Sequence, residues 1–123
     1  MIQPVHDDAF SAYSSDEPSG LLITLSGSTE IDSKQQLSRF LQEVHHDVCA
    51  RNLPEVMVDL RTASFVNSTC LKVLASWILQ PFTETRPPYK ITFITTRVHA
   101  WQRRSLGALT FLSPDRVTVV GDS

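Results

Sequence analysis

The chain has 123 residues, with 11 basic and 13 acidic side chains and a formal net charge of −2. This length predicts one domain, over residues 1–123, with a hydrophobic core of its own. The hydrophobic content of 41% argues against a disordered chain, and the slightly acidic balance argues against a dedicated nucleic-acid binder. No apolar run approaches the roughly 20 residues of a membrane-spanning helix, so we expect no membrane partner.

The distribution of charge and the cysteine content bear on the kind of partner and on the cellular compartment. Residues 1–32 contain six acidic residues and no Lys or Arg, which indicates either a solvated lead-in or an acidic edge that helps to select a partner. We expect residues 1–8 to be loosely ordered. The two cysteines, Cys49 and Cys70, form no Cys-x-x-Cys pair, which predicts a cytoplasmic protein with free thiols.

Two short strands open the predicted fold. Residues 9–14 have a weak strand pattern, and residues 16–20 carry turn-forming Asp, Pro, Ser and Gly. Residues 21–26 place Leu21, Ile23 and Leu25 on one face of a second strand. The pair predicts a β-hairpin with a longer loop.

The first helix has the strongest local pattern. Ser33 and Gln36 match a Ser-x-x-Gln capping box, in which the serine hydroxyl accepts a hydrogen bond from a first-turn amide. Apolar residues follow at helical spacing, and the helix is expected to end near Asn52, before Pro54.

Strands and helices alternate through the rest of the chain. Residues 56–60 are typical of a strand covered on both faces, and a loop is predicted over residues 61–66. A second helix is predicted from residues 67–69 to about residue 80, then a strand over residues 91–95 and a last strand over 117–120. The third helix, between those strands, is predicted to bury one face, formed by Val98, Trp101, Ser105, Ala108, Leu109 and Leu112.

The order β-β-α-β-α-β-α-β predicts an α/β fold with a mostly parallel sheet and packed helices. In such sheets the functional loops gather at the carboxyl ends of the strands. Residues 27–32, 61–68 and 95–99 are therefore expected to converge.

Residues 56–74 carry the most informative motif. The segment resembles the central signature of STAS domains, the family of bacterial anti-anti-sigma factors (anti-sigma factor antagonists), in which an apolar strand is followed by Asp-Leu, a loop, Phe-x-Asp-Ser-Ser-Gly-Leu and an apolar helix. The matching positions are Asp59, Leu60, Phe65, Ser68, Leu71 and Leu74. Asn67 replaces the usual Asp, Cys70 replaces the usual Gly, and the loop over residues 27–32 is longer than usual. The element order matches the family as well.

The resemblance implies a single STAS-like domain that acts as a bacterial signalling module. It implies binding to a serine kinase or anti-sigma factor of the histidine-kinase-like ATPase type, and phosphorylation of Ser68 by that kinase. Thr69, the next residue, could be a second acceptor or a decoy. It also allows a phosphoserine phosphatase as a partner, and a homodimer. The sequence contains no Gly-rich phosphate loop, Gly-x-Ser-x-Gly elbow or His-Glu-x-x-His motif, so we expect no cofactor, no metal and no catalysis by this chain.

The position of Ser68 gives a physical reason why its phosphorylation would switch partner binding on or off. A predicted helix start offers unpaired amides and the positive end of the helix dipole, which favour an anion. A phosphate adds about −1.5 to −2 charge, and a buried protein contact cannot easily hold an unpaired dianion. Phosphorylation is therefore expected to change docking rather than to unfold the domain. The predicted contact surface comprises Thr29, Asn67, Ser68, Thr69, Lys72 and Val73.

Three other interpretations stay open. Asn67 and Ser68 could be simple helix caps. The apolar rim of the second helix, around Val73, could serve a constitutive scaffold or homodimer. A small thiol enzyme around Cys70 is the third, although Ser76 stands where a Cys-x5-Arg phosphate loop needs arginine.

Several further residues are assigned ordinary roles. His45 and Cys49, four residues apart, are too few ligands for a metal site. Trp101 is predicted to be core and Asp59 to be structural. A solvated basic cluster is predicted from Lys72, Arg97, Arg103 and Arg104.

Overall fold

The computed structural model describes residues 2–30, 32–80 and 89–121. Within these ranges six strands form one sheet in the order β1-β2-β3-β4-β5-β6. The elements are β1 (Val5–His6), β2 (Phe10–Glu17), β3 (Gly20–Ser28), α1 (Ser33–Arg51), β4 (Glu55–Phe65), α2 (Ser68–Ile78), β5 (Lys90–Thr95), α3 (Ala100–Thr110) and β6 (Val117–Gly121). Strands β3 to β6 are parallel, and β1 and β2 add antiparallel to β3. The predicted mostly parallel α/β fold is confirmed.

The amino-terminal hairpin is tighter than predicted. Glu17 pairs with Gly20, so a two-residue turn joins β2 to β3, and the longer loop is wrong. The strands continue through residues that the composition assigned to a turn. Val5 pairs with Ala12 in the edge strand β1, which the sequence did not indicate because two residues carry no alternation.

The three helices cover one face of the sheet. Each parallel connection moves one strand further in the same direction, and right-handed crossovers then place α1, α2 and α3 on the same side. The core on this side is dominated by β-strand and helix side chains that are fully or almost fully buried, among them Leu21, Ile23, Leu25, Phe40, Val44, Val56, Val58, Leu74, Ile78, Ile91 and Phe93. The opposite face is half-exposed, with Tyr13, Thr24, Asp59, Ile94 and Val120 in one row across five strands.

Helix α1 begins differently from the prediction and ends as predicted. Ser33 is fully buried, and its hydroxyl accepts a hydrogen bond from the backbone N–H of Glu30 (2.8 Å), on the loop before the helix. The capping box with Gln36 is therefore wrong, because the serine is directed back toward the loop rather than into the first turn. The helix ends at Arg51, and Asn52 follows in the left-handed conformation with φ of 56°.

Strand β4 continues through the predicted loop over residues 61–66 as far as Phe65. That prediction is wrong because polar residues on an uncovered strand face look like a loop in sequence. The β3–β4 register shifts twice beside Ser26 and Gly27, which indicates β-bulges. Gly27 has φ of +85°, and a Cβ there would collide with the carbonyl oxygen of Ala9, so glycine is required at this bend.

Helix α3 buries only part of the predicted face, because Leu109 is buried and Trp101 is half-buried against the core. Gln102, Leu106 and Leu109 point into the core, whereas Val98 is 80% exposed and Leu112 is exposed too. The rest of the face was predicted wrongly because an apolar pattern does not include glutamine, and Gln102 is one of the buried residues.

Candidate functional site

Two loops that are distant in sequence meet at the carboxyl ends of β3 and β4. The backbone N–H of Thr29 donates to the carbonyl oxygen of Phe65 (3.0 Å). The Thr29 hydroxyl accepts a hydrogen bond from the backbone N–H of Asn67 (2.7 Å). The predicted convergence of the first two loops is confirmed for the residues described, which do not include Ile31.

Asn67 is the N-cap of α2. Its Oδ1 accepts a hydrogen bond from the backbone N–H of Cys70 (2.8 Å), and its Nδ2 lies 3.4 Å from the carbonyl oxygen of Glu30, to which it donates. The capping interpretation therefore holds for Asn67. The amide caps the helix and ties it to the β3–α1 loop, which a carboxylate could not do because it has no hydrogen to donate.

Ser68 is the first residue of α2, and its side chain is exposed. Thr69 and Lys72 are also exposed, and Val73 is half-buried. Lys72 follows Ser68 by four residues, so the two side chains share a face of the helix. The capping interpretation does not account for Ser68, because Asn67 already caps this helix.

Thr29 has a different position from the other predicted contact residues. It is only 6% exposed, and its hydroxyl is engaged by Asn67. Its side chain therefore holds the two loops together and offers little surface.

Opposite charges flank the start of α2. On one side, Glu30 and Asp32 line a hollow of about 530 Å³ together with Phe65, which is 48% exposed. On the other side, Lys34 and Lys72 line a groove between α1 and α2. Glu30 and Asp32 belong to the acidic stretch over residues 1–32, which was predicted to be a solvated lead-in or an acidic edge. Lys34 was not predicted at the site, because a single sequence does not show which α1 residues lie beside α2.

Cys70 lacks the properties of a nucleophilic thiol. It is fully buried, and this burial raises the pKa of its thiol; a hydrogen bond with Thr29 opposes the shift with a smaller effect. Both the burial and the direction of the shift disfavour an accessible thiolate. The geometry therefore gives the thiol-enzyme interpretation no support.

The third loop, residues 95–99, contributes to a separate cavity. Arg97 and His99 line a space of about 620 Å³ between α3 and β6, and this space shares no described lining residue with the groove that Lys72 lines. The predicted basic cluster is thus divided, and the Arg103 side chain lies outside the described part of the structure. Trp101 is half-buried and donates from Nε1 to the carbonyl oxygen of Ala63 (3.2 Å).

Two remaining groups have structural partners. The Asp59 carboxylate accepts hydrogen bonds from Arg61 (2.9 and 3.0 Å to the guanidinium), and this contact lowers the pKa of Asp59. His45 Nε2 lies 3.7 Å from Cys49 Sγ, and His45 Nδ1 lies 2.8 Å from the hydroxyl of Tyr89. In the described ranges no three potential ligands gather around a metal position.

The comparisons with known proteins bear on the fold. No protein-family model and no curated protein matches this sequence. Among solved structures, the chain is similar to an anti-sigma factor antagonist from Mycobacterium paratuberculosis, with 18% identity, a TM-score of 0.66, and coverage of 92% of this chain and 88% of that one. A lipoprotein from Streptococcus agalactiae is also similar, with 13% identity and a TM-score of 0.56; the match covers 89% of this chain and 49% of the lipoprotein chain.

The chain has a STAS-like fold. Identities this low establish the fold alone. None of the helices in the described ranges is long and apolar enough to cross a membrane. In the STAS-like fold of this chain, the motif serine Ser68 stands exposed at the start of α2, beside the β3–α1 loop.

Proposed function

We propose that this chain is a protein-binding regulator of the anti-sigma factor antagonist type. In the unphosphorylated state it binds a serine kinase or anti-sigma factor of the histidine-kinase-like ATPase type, and phosphorylation of Ser68 releases it. An ATP-dependent kinase partner implies that the chain acts in the bacterial cytoplasm. A phosphoserine phosphatase would reset the switch.

The exposed Ser68 at the start of α2 is the observation that carries this proposal. The helix is already capped by Asn67, so the hydroxyl is not needed for folding. A phosphate there meets the positive end of the helix dipole and does not disturb the core. It does add a dianion to a surface where Ser68, Thr69 and Lys72 are exposed together. This placement favours a change in docking.

Asn67 and Thr29 have supporting roles in the proposal. Thr29 positions the loop, and Asn67 fixes the helix start that presents Ser68. Thr69, Lys72 and Val73 form the adjoining contact surface. The fold similarity to an anti-sigma factor antagonist supports the same class of regulator.

Phosphosite mapping tests the switch directly. The chain is isolated from its own host during growth and stress, and its phosphopeptides are identified by mass spectrometry. We expect phosphate on Ser68 whose occupancy changes with condition. A kinase that co-purifies with the chain is then bound to wild type, Ser68→Ala and Thr69→Ala, with and without ATP.

Ser68→Ala is expected to keep the kinase bound after ATP is added, whereas wild type releases it. Ser15→Ala, at an exposed position on β2, is the matched control and should behave as wild type. If Ser68→Ala and wild type respond identically to ATP, the switch is wrong.

A constitutive scaffold or homodimer is the second candidate. The observation that favours it is the apolar edge of α2, where Leu79 is 55% exposed and Val73 is half-buried. Size-exclusion chromatography with light scattering, comparing wild type with Val73→Glu, distinguishes the candidates. A dimer that Val73→Glu dissociates, in a chain without phosphate on Ser68, would favour the scaffold.

A further inference from the structure

A groove runs between α1 and α2, which pack against each other on the covered side of the sheet. Its volume is about 300 Å³. The floor is apolar and consists of Leu41, Val73 and Trp77. We call this feature the α1–α2 groove. Its rims carry the uncharged polar side chains of Ser38, Gln42, Ser76 and Gln80.

The charge in the α1–α2 groove has one sign. Among the described residues that line it, Lys34 and Lys72 are the charged ones, and both are exposed. Both lie toward the amino-terminal ends of their helices, which are the ends nearest Ser68. An apolar floor with two cations at one end is complementary to an amphipathic segment that carries carboxylates at the matching end.

We infer that the α1–α2 groove receives an acidic amphipathic helix of the partner protein. The apolar stripe of that helix packs on Val73, which is the half-buried residue of the floor, and a carboxylate lies between Lys34 and Lys72. Helix α2 has 11 residues, a length of about 16 Å, which matches about three turns of a docked helix. This inference deepens the proposed function and rests on it for the identity of the partner.

The position of Lys72 connects the groove with Ser68. The two residues are four apart on α2, so a phosphate on Ser68 is within reach of the Lys72 ammonium group. The phosphate would pair with Lys72 and repel the carboxylate of the partner at the same time. Competition for one lysine thus explains how a modification at the helix start weakens binding along the groove.

A peptide titration followed by NMR tests the groove without knowledge of the partner. The probe is a 14-residue, amino-acetylated helical peptide with a leucine stripe and three glutamates, and its counterpart has lysines in place of the glutamates. In ¹⁵N spectra of the full chain we expect the acidic peptide to shift the resonances of Lys34, Lys72 and Trp77. The indole resonance of Trp101, on α3, should stay in place.

The double charge reversal Lys34→Glu with Lys72→Glu is expected to weaken binding of the acidic peptide at least tenfold and to favour the basic one. Lys90→Glu, at an exposed position on β5 outside the groove, is the matched control and should bind the acidic peptide as wild type does. The inference is overturned if both peptides bind alike, if no groove resonance shifts at millimolar peptide, or if the shifts map to the uncovered face of the sheet. Concentration-dependent shifts of groove residues without peptide would also overturn it, because a second copy would then be the occupant.

The experiments distinguish an error in the inferred groove binding from an error in the proposed phosphorylation switch. If ATP releases the kinase from wild type but the double reversal still binds that kinase fully, the groove is wrong and the proposed function stands. If the acidic peptide binds the groove in a chain whose Ser68 is never phosphorylated, the groove stands and the switch is wrong.

Discussion

Gln102 holds the carboxyl end of β4 in place, and its replacement by leucine is expected to destabilise the fold. The side chain is fully buried in α3. Its Nε2 donates to the carbonyl oxygens of Leu60 (2.6 Å) and Ala63 (3.2 Å), and its Oε1 accepts from the backbone N–H of Thr96 (3.0 Å). Leucine fills a similar space but makes none of these hydrogen bonds.

The expected loss follows from the backbone groups that Gln102→Leu leaves behind. The Ala63 carbonyl keeps its hydrogen bond from Trp101 Nε1, so it loses only one of its two hydrogen bonds from side chains. The Leu60 carbonyl loses the hydrogen bond that it accepts from Gln102 Nε2, and the Thr96 N–H loses its acceptor Gln102 Oε1. Leu60 is fully buried, and a buried polar group that loses its partner costs about 1–3 kcal/mol, so we expect the free energy of unfolding to fall by about 1 to 3 kcal/mol.

Urea unfolding followed by far-UV circular dichroism measures this loss. Gln35→Leu, the same substitution at an exposed position of α1, is the matched control and should change the free energy of unfolding by no more than about 0.5 kcal/mol. A loss below about 1 kcal/mol for Gln102→Leu, with an unchanged denaturant slope, would refute the reasoning.

Three further predictions concern the helix cap and the titrating groups. In the same urea titration, Asn67→Ala should lower the free energy of unfolding by about 1 kcal/mol, because it removes the helix cap. Ser68→Ala should lower it by less than about 0.5 kcal/mol. Equal losses for the two variants would contradict the assignment of the cap to Asn67. The hydrogen bond from Arg61 lowers the pKa of Asp59, so this stabilisation is present above the unfolded pKa of about 4 and is lost as the pH falls through the folded pKa. Wild type should therefore lose more stability than Asp59→Asn between pH 7 and pH 3 in urea unfolding, and parallel profiles would argue against the pair. Burial raises the pKa of Tyr89, so the unfolded chain alone ionises just above about pH 10, and stability should fall there more steeply in wild type than in Tyr89→Phe; identical alkaline profiles would contradict this.

The alternation of strands and helices could be predicted because most elements carry their own pattern. Strand β4 shows the limit of such patterns. The sequence predicted a strand covered on both faces that ends at Leu60, but the helices lie on one face only. Arg61, Thr62 and Ser64 are therefore exposed within the strand. A polar residue on an uncovered face and a polar residue in a loop look the same in a single sequence.

Helix α3 shows a second limit, which concerns backbone groups. The last β4–β5 pair joins Asp59 and Ile94, so the β4 carbonyls beyond it need other donors. Gln102 supplies them, and it is buried for this reason. The need for a donor arises from the different lengths of two strands, and no local apolar pattern records it.

The candidate site likewise contains residues that the sequence predicts and residues that only the packing of the fold brings there. Asn67, Ser68 and Lys72 could be predicted because they lie in one continuous segment whose helix start is visible in the sequence. Lys34 could not, because it becomes a neighbour of Lys72 only when α1 packs beside α2. Thr29 was predicted to contact a partner, but its side chain is buried. This burial depends on the bend at Gly27, which directs the following loop inward.

The charges around Ser68 give a reason for asparagine at the position before it. Glu30 and Asp32 are exposed on one side of the helix start, and Lys34 and Lys72 lie on the other. A phosphate on Ser68 would be repelled by the two carboxylates and attracted by the two lysines, so it would lean toward the α1–α2 groove. An aspartate in place of Asn67 would add a third carboxylate beside the phosphate and would lose the hydrogen bond to the Glu30 carbonyl. If Ser68 is phosphorylated as proposed, the neutral amide keeps the cap and adds no carboxylate beside the phosphate.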